Sequence, residues 1–146
     1  MSEHRATIVW DRQGTAFTYK EYTRDHVWKF EGGSEVRGSA APKYLGNEAL
    51  VDPEQAFVAA LSSCHMLTFL AVAARDGFVV DHYEDAAVGF MERNDNKKLA
   101  ITRVVLSPTI TWGTEPPDQA HLDKLHQIAH EQCFIANSVM TKVEVA

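Results

Sequence analysis

The sequence predicts an α+β fold in a single domain, residues 1–146, with largely antiparallel sheets around a long buried central helix. Three observations carry that expectation. Runs with two-residue alternation fill the first third and recur over residues 79–112, and an apolar run of helical length separates them. A second helical run comes late and a short alternating run closes the chain, giving the order β-β-β-α-β-β-α-β. A length of 146 residues is that of one domain, and 45% apolar with 23% charged residues is a globular balance.

Residues 6–10 are a short β-type run and Gly14 marks a turn. Phe17, Tyr19 and Tyr22 then follow at roughly alternating spacing, and residues 26–30 alternate again. Gly32-Gly33 is a hairpin-turn sequence, and residues 39–51, with Pro42, Gly46 and Asn47, read as a loop. Asp52 can cap a helix, Pro53 suits its first position, and Gln55 completes a capping box. That helix should run to Arg75 and stop at Gly77. It is apolar on nearly every face, which predicts burial all round. Residues 56–74 are long enough to cross a membrane, but Ser62, Ser63, Cys64, His65 and Thr68 lie mid-span and charges close it tightly, so a core helix is expected. Residues 79–91 and 99–112 read as two long strands joined by a polar tip at 93–98. Thr114-Glu115-Pro116-Pro117 breaks the pattern before a helix over 118–131, and residues 142–145 form a last strand.

Composition narrows the function. Twenty acidic against 14 basic side chains give a net charge of −6, with no Lys/Arg cluster. Neither nucleic-acid backbones nor anionic membranes are expected partners. The first residues contain no apolar run, so no signal peptide is expected. Two cysteines cannot form a disulfide scaffold, and the expected compartment is the cytoplasm, where paired cysteines are more often catalytic.

Cys64 falls in the middle of the first helix, and Cys133 where the second helix ends and a turn begins. By itself Cys64 reads as a small buried hydrophobe. A helix beginning at Cys133 would offer N–H groups that favour a thiolate. Two such cysteines fit a peroxidase, in which one thiolate attacks peroxide and a second thiol condenses with the sulfenic acid. The rival is a metal site, because His126, His130 and Cys133 fall at i, i+4 and i+7, with Cys64 able to complete a tetrahedron. His65 points about 100° away from Cys64 around the helix, so it reads as a packed histidine and not as the base for Cys64.

The segment Asp52-Pro53-Glu54-Gln55-Ala56-Phe57-Val58-Ala59-Ala60-Leu61-Ser62-Ser63-Cys64 resembles the Pro-Glu-x-x-(Leu/Phe)-x-Ala-Ala-x-x-x-Cys signature of the OsmC/Ohr family, the osmotically inducible and organic-hydroperoxide-resistance proteins. His126-x-x-x-His130-x-x-Cys133, followed by Asn137-Ser138, resembles the family's second signature. The resemblance covers nearly the whole chain. It implies an OsmC-like fold, an intertwined homodimer with active sites at the subunit interface, and a thiol peroxidase acting on organic hydroperoxides. Cys64 matches the peroxidatic cysteine, Cys133 the resolving one, and Glu54 the family's carboxylate. Arg24 fits its cation best, with Arg12 and Arg37 as the other candidates. No cofactor is implied beyond an external dithiol reductant of lipoyl type. Tyr22-Thr23 stand where relatives carry glycines, and Phe134 follows the second cysteine where proline is common, which marks a divergent branch. A non-catalytic small-molecule-binding relative is the alternative on the same fold.

Elementary physics adds two expectations. A guanidinium within about 4–6 Å favours a thiolate, and Glu54 could fix the guanidinium plane by pairing with it. Phe57, Leu61, Leu67 and Phe69 would give the sulfur a greasy setting suited to alkyl or lipid hydroperoxides. Ten residues of straight helix rise about 15 Å, so on an unbroken helix Glu54 cannot reach Cys64 of its own chain, and a partner chain is favoured.

Overall fold

The computed structural model describes all 146 residues. They form two compact units, Met1–Ala56 and Phe57–Ala146.

The first unit is a three-stranded antiparallel sheet in the order β1-β2-β3, with β1 at Ala6–Val9, β2 at His26–Phe30 and β3 at Glu35–Gly38. Gly33 makes the β2–β3 turn with φ of +89°. The third strand thus lies after the glycine pair. Residues 16–25 form no strand, contrary to the alternation of Phe17, Tyr19 and Tyr22. Phe17 and Tyr22 instead cluster with Trp10: the Phe17 ring lies 5.9 Å from Trp10 and 5.3 Å from Tyr22. Ring-on-ring contact at the surface, and not sheet pleating, uses Phe17 and Tyr22.

Helix α1, Pro53–Arg75, opens on the expected capping box. The Asp52 carboxylate accepts from the Gln55 N–H at 2.8 Å, and the Asp52 N–H donates to the Gln55 side chain at 3.1 Å. Gly77, at φ +88°, ends it in the left-handed conformation that suits glycine.

In the second unit α1 buries Leu61, His65, Phe69, Val72 and Ala73, which lie along one face. Phe69, Val72 and Ala73 pack with Leu125 and Ala129 of helix α2, Gln119–Gln132. Leu61 packs with Val104 and Leu106. α1 has the length and hydropathy of a membrane span, and here its buried face belongs to these cores. Burial all round is not observed. Ala60, Ser63, Leu67, Ala71 and Ala74 form an exposed stripe, with Leu67 61% exposed.

Each of the two long strands is broken in two. β4 at Val80–Asp85 pairs with β7 at Pro108–Trp112, and β5 at Val88–Arg93 pairs with β6 at Leu99–Leu106. The hairpin therefore changes sheet at Ala86–Ala87 on one side and Ser107 on the other. The Asp85 carboxylate holds the bend by accepting the Ser107 N–H at 2.6 Å. Asn94 closes the tip by accepting from the N–H groups of Asn96 and Lys98, each at 3.0 Å. β8, Lys142–Val145, runs parallel to β6 and completes that sheet.

Candidate functional site

Cys64 lies midway along α1 and is partly exposed, while Cys133 is 1% exposed. α2 ends at Gln132 because Cys133 leaves the helical region, at φ −69° and ψ 111°. A short turn at Ala136–Ser138 follows. The Cys133 sulfur accepts the Ala136 N–H at 3.4 Å and is also held by the Ile135 N–H. The turn thus supplies the donors expected of a helix beginning. Both cysteines are free thiols, and Cys133 lies close enough to Cys64 for the two sulfur groups to influence one another. Burial pushes the Cys133 thiol up, the neighbouring Cys64 adds to that, and the two N–H groups pull it down. The second unit therefore places the two cysteines side by side, with the Cys133 thiol pushed up.

No three His, Cys, Asp or Glu side chains converge to hold a metal ion. The spacing of His126, His130 and Cys133 suggested one helical face, but Cys133 is off the helix and turned to Cys64. His126 is turned to His65, whose Nε2 lies 3.0 Å from His126 Nδ1, and the two rings are nearly parallel. His65 is therefore a packed histidine, as its angle from Cys64 predicts. Burial first, then the positive charge of His126 and His130, lower its pKa from 6.5 to about 4, with Asp85 opposing. Between those values the unfolded chain binds a proton that the folded chain refuses. Stability should fall as pH drops from about 6.5 and level off below about 4. Urea midpoints across that range check this, and His65→Gln should flatten the slope. A wild-type midpoint that does not move would contradict the burial of a neutral ring.

The first unit holds an open cleft of about 570 Å³ lined by Arg24, Glu54, Trp10, Phe17, Tyr22 and Tyr44, among others. Of the three candidate arginines, Arg24 shares this cleft with Glu54. Arg37 lines a different hollow with Asp11, Asp25 and Glu35, and Arg12 is exposed. Arg24 and Glu54 form no ion pair. Instead the guanidinium donates to the carbonyls of Tyr22, at 2.6 Å, and Tyr19, and lies 3.7 Å from the Tyr22 ring centre. Main-chain acceptors and an aromatic face fix its plane, the task the sequence assigned to Glu54. The Glu54 carboxylate is left free of basic partners.

The greasy setting also differs from expectation. Leu61 and Phe69 are fully buried in the cores, so they cannot line an approach to Cys64. The cleft's aromatic rings were the missed residues. Phe17 and Tyr22 stand in a run whose alternation fits a strand equally well, and Trp10 and Tyr44 carry no signal.

The family model for OsmC-like proteins matches residues 46–146, more than half of the chain, and spans both cysteines and Glu54. The chain belongs to the OsmC-like family. An OsmC-like protein of unknown function from Vibrio cholerae superposes with a TM-score of 0.95 at 49% identity, covering 100% of this chain and 99% of its own. An organic hydroperoxide resistance protein from Legionella pneumophila matches with a TM-score of 0.70 at 21% identity, covering 99% and 94%. One from Elizabethkingia anophelis gives 0.71 at 20%, covering 99% and 93%. These last two establish the OsmC fold alone. No curated protein matches the chain in sequence.

Proposed function

We propose that this OsmC-like protein is a cytoplasmic, thiol-dependent peroxidase that reduces organic hydroperoxides, and that it works as an intertwined homodimer. The placement of Cys133 beside Cys64 carries the reading. The Cys64 thiolate attacks the distal peroxide oxygen, the O–O bond breaks, and the alcohol leaves with a proton while Cys64 becomes a sulfenic acid. The Cys133 thiol then displaces water from that sulfenic sulfur, forming the Cys64–Cys133 disulfide. An external dithiol reopens the bridge by exchange and leaves as its own disulfide. Their proximity lets the second step proceed without a large rearrangement.

The dimer is supported by two features of α1. Its stripe of small residues around Leu67 is uncovered within the chain, and close helix packing wants such residues. The helix is unbroken from Pro53 to Arg75, so Glu54 stands about 15 Å along the axis from Cys64. The Arg24–Glu54 cleft of one protomer would then serve Cys64 of its partner. Its aromatic walls favour a carbon-bearing peroxide over hydrogen peroxide.

The test is stoichiometric. One equivalent of cumene hydroperoxide per reduced chain should consume both thiols and yield an intrachain Cys64–Cys133 disulfide, with one equivalent of alcohol. Thiols that survive the hydroperoxide, with an aromatic ligand retained instead, would favour a binding protein on the same fold.

A further inference from the structure

The loop that carries Arg24 has almost no main-chain partners, so side chains must hold it. The Trp10 indole N–H donates to the Thr23 carbonyl at 2.8 Å. The Asp25 carboxylate accepts the hydroxyl of the fully buried Ser39 at 2.9 Å. The Arg24 carbonyl is taken by His26, whose Nδ1 lies 2.7 Å away. The other ring nitrogen, Nε2, lies 2.7 Å from the Trp28 indole nitrogen.

These two contacts leave one assignment. An indole N–H can only donate, so Nε2 must be an unprotonated acceptor. A carbonyl can only accept, so Nδ1 must carry the proton. Trp28 thus locks His26 as the neutral Nδ1–H tautomer, and that tautomer alone can fasten Arg24.

The sheet is built around this bond. Gly38 stands directly opposite His26 in the β2–β3 register and is buried. A Cβ there would come within 2.8 Å of Trp28 Nε1 and 2.9 Å of His26 Nε2. Glycine leaves the space in which the two rings meet.

We propose that His26 is a positioning residue for Arg24, with its tautomer set by Trp28 and its room set by Gly38. Arg24 is then held at both ends. His26 fixes its peptide plane, and the carbonyls of Tyr19 and Tyr22 fix its guanidinium. A guanidinium so held needs little reorganisation when it meets a peroxide or a thiolate. The inference rests on the reading of Arg24 as the cation that serves the attacking sulfur.

Three replacements separate the two ring nitrogens. His26→Asn puts an amide N–H near the place of Nδ1 and should still fasten Arg24. His26→Gln puts its amide near Nε2 and should reach only Trp28. His26→Leu reaches neither. With cumene hydroperoxide and a dithiol, kcat/KM should stay within about twofold for His26→Asn and fall about five- to tenfold for the other two, the effect of one lost hydrogen bond. Packing alone would not rank them so. Asparagine as poor as leucine, or glutamine equal to wild type, would overturn the proposal. Nitrogen NMR of the folded wild type gives a second readout that no variant's folding can spoil. The His26 ring should report a proton on Nδ1, and a ring protonated on Nε2 would also overturn it. Arg24→Ala separates the two ideas. If it loses nothing, the role of Arg24 fails; if it loses activity while His26→Leu does not, only the role of His26 fails.

Discussion

Replacing Cys64 by serine is expected to reduce dithiol-dependent hydroperoxide reduction by at least about a thousandfold, down to the uncatalysed background. A serine hydroxyl does not ionise near neutral pH, and its oxygen cannot accept the peroxide oxygen as a sulfenic acid does. Cys133→Ser should behave differently. Its first turnover keeps wild-type speed, because the attacking sulfur is intact. The variant should then stop at the Cys64 sulfenic acid, with no thiol beside it to condense. That species should react with a sulfenic-acid probe and, under excess peroxide, pass to the sulfinic acid. Rapid-mixing assays would show a burst of one alcohol per chain for Cys133→Ser and none for Cys64→Ser. Full multiple turnover by Cys64→Ser would end the peroxidase reading. A wild-type protein that gave Cys64 sulfenic acid but no disulfide would remove Cys133 from the cycle. The expectation rests on the placement of Cys133 beside Cys64 and on the burial that pushes the Cys133 thiol up.

What the sequence revealed follows the range of the interactions involved. The capping box at Asp52 and Gln55, the stop at Gly77 and the Asn94 hairpin tip are set by residues a few positions apart, and each appears where local chemistry predicts it. The Asp118 cap is of the same kind, its carboxylate accepting the His121 N–H at 2.8 Å. The bend at Ser107 was not legible. Ala86 and Ala87 look like any strand residues, and the Asp85 contact that holds the bend spans the whole hairpin. The run from Phe17 to Tyr22 misled because aromatic alternation describes a strand and a ring cluster equally well.

The candidate site divides the same way. Cys64, Cys133 and Glu54 were visible because signature spacing names them. The placement of Cys133 beside Cys64 is a tertiary fact that spacing alone left open between a redox pair and a metal site. The support of Arg24 was hidden for another reason: its partners are carbonyls, which every residue carries and no sequence displays. The exposed stripe on α1 reads as core in sequence, since its residues are as small and apolar as those of the buried face.

Arg24→Ala is expected to lower kcat/KM for hydroperoxide by about a hundredfold, because a guanidinium near a thiolate is worth about one to three pK units and also polarises the peroxide. Arg24→Lys should recover little. An ammonium lacks the planar fork that reaches the Tyr19 and Tyr22 carbonyls while leaving other N–H groups free, and it stacks less well on Tyr22. The decisive form of the experiment uses two impaired chains together. Co-expressed under different tags, Arg24→Ala and Cys64→Ser chains would form mixed dimers recoverable on both tags. If the cleft of one protomer serves the sulfur of the other, each mixed dimer holds one site with neither substitution. Arg24 then comes from the Cys64→Ser chain, and Cys64 and Cys133 come from the Arg24→Ala chain. Activity in the doubly tagged fraction should rise well above the hundredfold-reduced level of pure Arg24→Ala and the background of pure Cys64→Ser. If Arg24 instead serves Cys64 of its own chain, every site in the mixed dimer carries a substitution and the fraction stays inactive. Glu54→Gln paired with Cys64→Ser should follow the same rule, because Glu54 lines the same cleft as Arg24 and stands too far along α1 to reach its own Cys64.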